Sequence, residues 1–378
     1  MPHSCNRFLT VAVHSMALGL LFASNANAFA AAGVDADLPE IRAAAEKGSI
    51  HEEIALGAAY FSGRGVHQDL KLAAYWYEKA AGSGDPAAQN EIGYLYQAGL
   101  GVSVNAARAA HWFQLASAGG YLDAKVNLGV AYLWGTGVPR NPRLAEQLIR
   151  EAADKGSPVG AAYLGDMYYF GVCVPEDKAA AEPWYDKGAR LHNSLAAFRM
   201  GTVLSRPIDH PRDIQRSVIL LRESASAGFV PAMHSLALII VNHPELHLPP
   251  DEALTLLNEA AQAGTWRSSV VLGILSRDGK ILPKDDRSAY FHFQVAAHQG
   301  DETAKALVRN DLQVLGKRLD AEQKTKVDEE VNAWIEKHKL ALEVIYKNSD
   351  HLTQFPAFAL AAASPDAHAA TLIPTNPF

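Results

Sequence analysis

The chain has 378 residues and a formal net charge of −7, from 34 basic and 41 acidic side chains. This mild acidity comes without a stripe of clustered Lys and Arg, so we expect no nucleic-acid partner. Length alone would allow two or three ordinary domains, but the internal repetition described below predicts one continuous array instead.

The first 28 residues have the features of a secretory signal peptide. Arg7 is their only charged residue, and a mostly apolar stretch runs from Phe8 to Ala23. Ala26-Asn27-Ala28 then places small residues where a signal peptidase cleaves. We predict cleavage after Ala28 and a periplasmic or secreted protein without a transmembrane segment. The alternative is a short membrane anchor, although the apolar stretch is shorter than the roughly 20 residues that span a bilayer.

A linker is predicted over residues 29–37 and a capping helix over residues 38–48, after which glycines recur with a period of 36 residues. They form two ladders in one register, interrupted at His192 in the first and at Ala237 in the second. Such regularity indicates an array of identical structural units. The ladders comprise Gly48, Gly84, Gly120, Gly156, Gly228, Gly264 and Gly300, and Gly57, Gly93, Gly129, Gly165, Gly201 and Gly273.

One repeat, residues 88–123, indicates what each unit is. Ile92, Gly93 and Tyr96 share one face of a predicted first helix, and the glycines of Gly99-Leu100-Gly101 permit a tight turn. A predicted second helix follows and ends at Gly119-Gly120. Each unit is therefore predicted to be an antiparallel helical hairpin. Because glycine inside a helix costs about 1 kcal/mol relative to alanine, its repetition at Gly93 indicates close approach of a neighbouring helix.

The recurring string is Leu-Gly, Tyr, Gly-x-Gly-Val, Ala, Trp-Tyr, Ala-Ala, Gly, as at Leu56-Gly57, Tyr60 and Trp76-Tyr77. This pattern resembles the Sel-one-like repeat, a relative of the tetratricopeptide repeat, over residues 38–312. The resemblance implies an all-α fold: a right-handed α-solenoid of about seven 36-residue hairpins with N- and C-terminal capping helices and a concave groove. It also implies an adaptor in envelope assembly, signalling or host contact.

The later repeats depart from this pattern. Repeats five to seven keep Gly201 and Gly273 but lose most turn glycines. Residues 313–348 contain a charged segment with Val327, Val331 and Trp334 near helical spacing, which predicts a polar C-terminal capping helix. Residues 349–378 are rich in Ala and Pro and are expected to form a flexible tail.

Motifs of catalysis and cofactor binding are absent from the sequence. It contains no phosphate-binding glycine loop, Gly-x-Ser-x-Gly elbow, His-Glu-x-x-His helix or Cys-x-x-Cys pair. We therefore predict no enzymatic activity and no cofactor. Cleavage of the signal peptide would leave one cysteine, Cys173, which excludes an internal disulfide. Cys173 replaces a turn glycine, and we interpret it as a half-buried small residue rather than a reactive thiol.

Two histidine-containing turns in repeats five and six offer an alternative function. These turns are expected on the same edge of adjacent repeats, where their side chains could bind zinc or a similar ion. The competing interpretation is a pair of solvated loops stiffened by proline. The candidate ligands are His210, His243, Glu245 and His247.

The predicted groove is the better candidate for a binding site. In tetratricopeptide-like arrays the first helix of each hairpin lines the concave surface. The groove positions of repeat two therefore predict the equivalent positions, 36 residues further on each time, in repeats three to five. Aromatic rings with a few polar groups are typical of binding hot spots. The alternative is that some of these rings pack against the next repeat, as expected of Trp76, Trp112 and Trp184 on second helices. The predicted groove residues are Asn90, Tyr94, Gln97, Asp123, Trp134, Asp166, Tyr169, Phe170 and Phe198.

Three functions remain open from the sequence. The leading hypothesis is an exported, non-enzymatic scaffold that binds a protein or peptide partner in the groove. The second is a metal-binding or hydrolytic protein that uses the histidine-containing loops. The third is a secreted effector that binds host proteins.

Overall fold

The computed structural model describes residues 38–205 and 213–352. The predicted signal peptide, the linker and most of the predicted tail lie outside these residues. The described part consists of 17 α-helices and one short 3-10 helix, with no strand among them. Helices pack against their neighbours in chain order, so the predicted all-α solenoid is confirmed.

Seven helical hairpins, each with a first and a second helix, follow the N-terminal helix α1 (Leu38–Glu46). The first helices are α2 (Ile50–Ser62), α4 (Pro86–Ala98), α6 (Leu122–Trp134), α8 (Pro158–Phe170), α10 (Ser194–Leu204), α12 (Val230–Asn242) and α14 (Trp266–Asp278). The second helices are α3 (Leu70–Gly82), α5 (Ala106–Ala118), α7 (Pro142–Asp154), α9 (Lys178–Arg190), α11 (Ile214–Ser226), α13 (Pro250–Gln262) and α15 (Asp286–Gln299). The 3-10 helix Pro244–Leu246 precedes α13, and α16 (Glu302–Arg318) and α17 (Ala321–Leu352) follow the last hairpin.

The described residues divide into two compact units, with the division after Met200. The first unit contains α1 to α9 and the start of α10, and the second contains the remaining helices. In the second unit, Val327 and Val331 of α17 are buried against Val295 of α15. The helix α17 therefore covers an apolar side of α15, as a terminal capping helix does. In the part of the chain that the structure describes, no helix has the length and apolar character needed to cross a membrane.

Close contact inside each hairpin explains the glycines in the middle of the first helices. A Cβ added to Gly93 would lie 2.8 Å from the ring of Phe113, and one added to Gly165 would lie 2.6 Å from the ring of Tyr185. In the second unit, a Cβ on Gly273 would lie 2.6 Å from the Phe293 ring. The predicted reason for this glycine ladder, the approach of a neighbouring helix, is confirmed.

The other glycine ladder marks the ends of the second helices. Gly120 has a φ of +89°, in the left-handed region that favours glycine, and the next amide, Tyr121 N, donates to Ala116 O at 3.0 Å. This bond is that of a Schellman motif. The backbone of His192 also lies in this left-handed region, with a φ of +58°, although His192 has a side chain. Gly300 differs, because its backbone is extended and an added Cβ would overlap the Ala304 side chain.

Aspartate and asparagine side chains begin six of the seven second helices, a third 36-residue series that the sequence analysis missed. Each side chain accepts a hydrogen bond from a backbone N–H in the first turn, as Asn141 Oδ1 does from Leu144 N at 3.1 Å. These bonds satisfy amides that have no partner inside the helix. The N-cap residues are Asp69, Asn105, Asn141, Asp177, Asp213 and Asp285, with Pro249 at the remaining position.

The contact at Gly93 predicts unequal effects of two Gly→Ala substitutions. Gly93→Ala should lower the free energy of unfolding by about 1–3 kcal/mol, because the new methyl group overlaps the Phe113 ring. Gly82→Ala is the control, since an added Cβ there has no atom within 4 Å. It should leave stability unchanged or raise it by less than about 1 kcal/mol. Urea unfolding followed by circular dichroism measures both, and equal effects would contradict the contact.

The N-cap series predicts that Asn141→Ala lowers the free energy of unfolding by about 1 kcal/mol, through loss of the bond to Leu144 N. Asn141→Gly also removes the side chain but leaves the amide accessible to water, so it should cost only a few tenths of a kcal/mol. The same urea experiment compares them. A loss as large for glycine as for alanine would contradict a capping role.

Candidate functional site

The nine predicted groove residues all lie on first helices of the first unit. We call the surface formed by α2, α4, α6, α8 and the start of α10 the first-helix face. Four of the nine side chains are buried and five are half-buried. A partner would therefore meet the half-buried side chains first. The buried four are Asn90, Tyr94, Asp166 and Phe198, and the half-buried five are Gln97, Asp123, Trp134, Tyr169 and Phe170.

Polar contacts join successive first helices on this face. Asn127 Nδ2 on α6 donates to Asn90 Oδ1 on α4 at 2.8 Å. Ser157 Oγ, at the start of α8, donates to Asp123 Oδ1 on α6 at 3.0 Å. Burial raises the pKa of Asp123, and the bond from Ser157 opposes this shift. Asn90 and Asp123 therefore hold neighbouring repeats together.

An ion pair between a buried carboxylate and a half-buried guanidinium lies on α8 and α10. Asp166 Oδ1 accepts a hydrogen bond from the Tyr185 hydroxyl at 2.6 Å and lies 3.0 Å from Arg199 Nε. Burial raises the pKa of Asp166, against the opposing effect of the Arg199 charge. Burial by itself would lower the pKa of Arg199, but the Asp166 carboxylate outweighs it and the pKa is raised. Arg199 is therefore a cation with Asp166 as its counter-ion.

Aromatic rings surround this cation. The Arg199 guanidinium carbon lies 5.3 Å from the ring centroid of Phe170 and 5.7 Å from that of Phe198. Tyr169 meets Phe170 edge to face, with ring centroids 4.9 Å apart. A cation over aromatic faces is attracted by their electron-rich centres. These four side chains form what we call the aromatic–arginine cluster of the first-helix face.

Arg199 was missed by the sequence analysis, although Asp166 and all three rings of the cluster were predicted. A signal existed, because Asp166 and Arg199 have opposite charges and stand 33 residues apart, close to one repeat. The Asn90–Asn127 and Asp123–Ser157 contacts have similar separations of 37 and 34 residues. Polar pairs separated by nearly one repeat therefore indicate contacts between successive first helices.

The expectation that three second-helix tryptophans are core residues was only partly right. Trp76 is buried, but Trp112 and Trp184 are half-buried. The following residues, Phe113 and Tyr185, occupy the buried position against the mid-helix glycines. Adjacent helical residues point about 100° apart, so only one ring of each pair can face the first helix.

The proposed metal ligands are only partly within the described residues. His243 Nδ1 lies 2.7 Å from Glu245 Oε1, and His247 is exposed on the same turn. His210 lies outside the described residues. Over residues 38–205 and 213–352, no group of three His, Cys, Asp or Glu side chains could hold a metal ion. The four-residue set that includes His210 stays a prediction.

Cys173 is a free cysteine and is half-buried, as predicted. Its φ is +61°, the left-handed value that glycine has at the equivalent positions of other repeats, such as Gly101 and Gly137. Its Sγ atom lies 4.0 Å from Arg140 Nη2.

A small cavity lies in the second unit, between α13, α14, α15 and α17. Its volume is about 20 Å³, which is room for a single water molecule. Asn258, Gln262, His292 and Trp334 are among its lining residues. Burial lowers the pKa of His292 to about 4, so this imidazole is neutral near pH 7. The cavity is too small for an organic ligand.

The fold defines an α-solenoid repeat protein. Its first-helix face carries polar and aromatic side chains. Comparison with family models gives the family. The Sel1 repeat matches residues 53–85, 86–121, 122–157, 158–193, 194–229 and 270–301, more than half of the chain. The chain belongs to the Sel1 repeat family. The segment between the last two matches, residues 230–269, contains the 3-10 helix and the turn with His243.

Solved structures that are similar to this chain include a Sel1 repeat protein from Oxalobacter formigenes. It is 25% identical, with a TM-score of 0.50, over 72% of this chain and 79% of that chain. A protective antigen of uropathogenic Escherichia coli strains is 22% identical, with a TM-score of 0.32, over 81% and 88% of the two chains. An immunity protein from Pseudomonas aeruginosa is 18% identical, with a TM-score of 0.40, over 57% and 81%. Comparison with curated proteins finds no match.

The Asp166–Arg199 ion pair predicts that Arg199→Ala lowers the free energy of unfolding by about 3 kcal/mol or more, because Asp166 would be left buried without its counter-ion. The control is Arg190→Ala, which breaks the pair with Asp186 on a side chain that is 77% exposed. That change should cost less than about 1 kcal/mol. Urea unfolding measures both. Similar losses in the two variants would contradict an ion pair with a buried carboxylate at Asp166.

Proposed function

We propose that the protein is an exported, non-enzymatic scaffold that binds a protein or peptide partner on the first-helix face of its first unit. Sel1 repeat proteins are generally protein–protein interaction scaffolds. Export is part of the proposal and is supported by the apolar stretch and the Ala26-Asn27-Ala28 site near the N-terminus. The role is one in envelope assembly, signalling or host contact.

One observation carries the proposal: half-buried aromatic rings are concentrated on the first-helix face. Trp134, Tyr169 and Phe170 are each partly exposed, although large rings contribute most to stability when they are fully buried. Phe170 adjoins the guanidinium of Arg199 in the aromatic–arginine cluster, and Tyr169 meets Phe170 edge to face. Aromatic residues and arginine are the side chains most enriched in binding hot spots. The second helices of the first unit place fewer rings at the surface: Tyr75 is exposed, Trp112 and Trp184 are half-buried, and rings such as Phe113 lie in the core.

The proposal predicts that Trp134→Ala and Phe170→Ala each reduce capture of the partner at least about tenfold, the loss typical of a hot-spot ring. The measurement is affinity purification with the full protein from envelope extracts of its source organism, followed by quantitative mass spectrometry.

The matched control is Tyr75→Ala. Tyr75 is 56% exposed but lies on the second helix α3, away from the first-helix face. It should capture the partner as the unchanged protein does. Circular dichroism must show that all three variants are folded. Undiminished capture by folded Trp134→Ala and Phe170→Ala variants would reject the first-helix face as the binding surface.

A further inference from the structure

The helix α17 covers a side of α15 that carries a histidine. Val327 and Val331 of α17 are buried against Val295 of α15. Trp334, further along α17, packs against the same cluster. His292 precedes Val295 by three residues, so the two side chains share one side of α15. His292 therefore lies beside the contact between α15 and α17.

The cavity between α13, α14, α15 and α17 gives the imidazole of His292 little room for hydration. His292 and Trp334 both line this cavity, whose volume of about 20 Å³ holds a single water molecule. The lining from α13 includes the amides of Asn258 and Gln262, and that from α14 includes Ser269. These groups are neutral, so His292 is the only lining side chain that can become a cation.

The charged groups of α15 and α17 near this contact are placed elsewhere. Glu330 of α17 pairs with Arg287 of α15, and Asp328 lies 3.5 Å from a side-chain amide nitrogen of α15. His338, one turn beyond Trp334, bonds to the Trp334 carbonyl of its own helix at 2.7 Å. None of the four charged or titratable groups lines the cavity. No carboxylate is therefore in place to balance a charge on the imidazole between the two helices.

Burial of this imidazole makes the contact between α15 and α17 dependent on pH. With α17 in place, burial alone lowers the pKa of His292 to about 4, from an ordinary value of 6.5. The closed contact therefore favours the neutral imidazole and disfavours the protonated one. Because the pKa is lowered, this stabilisation is fully present above pH 6.5 and is lost as the pH falls toward 4. Within that window the closed contact weakens about tenfold for each pH unit.

The contact that holds α17 in place is limited. Among residues 321–338 of α17, only Val327 and Val331 are buried. We propose that α17 is a pH-sensitive strap, which closes over His292 at neutral pH and is released in acid. Release uncovers Val295 of α15, so an apolar surface that is hidden at neutral pH becomes accessible in acid. This switch lies in the second unit and does not depend on the first-helix face.

Hydrogen exchange of the full protein, followed by mass spectrometry at pH 7.5 and pH 5.0, tests the proposal. After correction for the pH dependence of intrinsic exchange, the protection of residues 327–335 should fall about 30-fold at pH 5.0, which is about 1.5 units below the ordinary imidazole pKa. The helix α4 in the first unit should keep its protection. The lower limit is pH 5.0 because ordinary carboxyl groups have pKa values of about 4.

Two histidine variants on α15 separate the switch from a general effect of acid. His292→Gln removes the titrating group and keeps a polar side chain in the cavity, so residues 327–335 should be equally protected at both pH values. His298→Gln is the matched control, because His298 is exposed and bonds to Gln294 O of its own helix at 2.9 Å. This control should keep the full pH response. Circular dichroism at both pH values checks that each variant is folded.

An NMR titration of the His292 ring provides a second measurement that needs no change at His292. In the unchanged protein the ring should titrate well below pH 6.5, and in Trp334→Ala, which removes part of the cover, it should titrate closer to 6.5. Titration near 6.5 in the unchanged protein would overturn the proposal. So would unaltered protection of residues 327–335 at pH 5.0, or an equal loss of protection in the His292→Gln variant. None of these results bears on capture of a partner by the first-helix face.

Discussion

Six of the seven hairpins depend on contact between a glycine in the middle of the first helix and a large side chain on the second helix, and the remaining hairpin has Ala237 at this position. In the first unit, Gly93 meets Phe113, Gly129 meets Ile149 and Gly165 meets Tyr185, always 20 residues further on. Without a Cβ the two helix backbones approach closely enough for the large side chain to fill the space between them. One side of each of these first helices therefore packs within its own hairpin, and the remaining surface faces the next repeat or the solvent.

The connections between helices follow from backbone hydrogen bonding rather than from burial. Left-handed residues after the second helices and Asp or Asn side chains before them satisfy the amides and carbonyls that a helix leaves unpaired. His192 and Cys173 keep positive φ values of +58° and +61° at positions where other repeats have glycine. The left-handed backbone conformation is therefore retained where the repeat lacks its glycine. The neighbouring helices impose this conformation, and the L-residue adopts it at a cost in conformational energy.

The polar side chains of the first-helix face hold repeats together and also border the proposed binding surface. Asn90, Asp123 and Asp166 make contacts that hold successive repeats together, and they lie beside the half-buried rings proposed to bind a partner. Its charge is divided along the chain, with Glu91 and Asp123 between α4 and α6 and Arg199 on α10. Under the proposed function, such a face would distinguish partners by the order of charged and apolar groups along a segment, since each repeat presents different side chains at one register.

The sequence by itself determined the repeat length, the hairpin, the glycine contact and the family, because these depend on spacing along one chain. It also located the helix face that carries the candidate site. It did not distinguish Trp112 from Phe113 as the buried ring, since two adjacent aromatic residues satisfy the same helical pattern. Nor did it show the Asp166–Arg199 pair or the Asn90–Asn127 contact. Those were decided by tertiary structure, because burial and polar pairing depend on how a neighbouring repeat packs against each side chain.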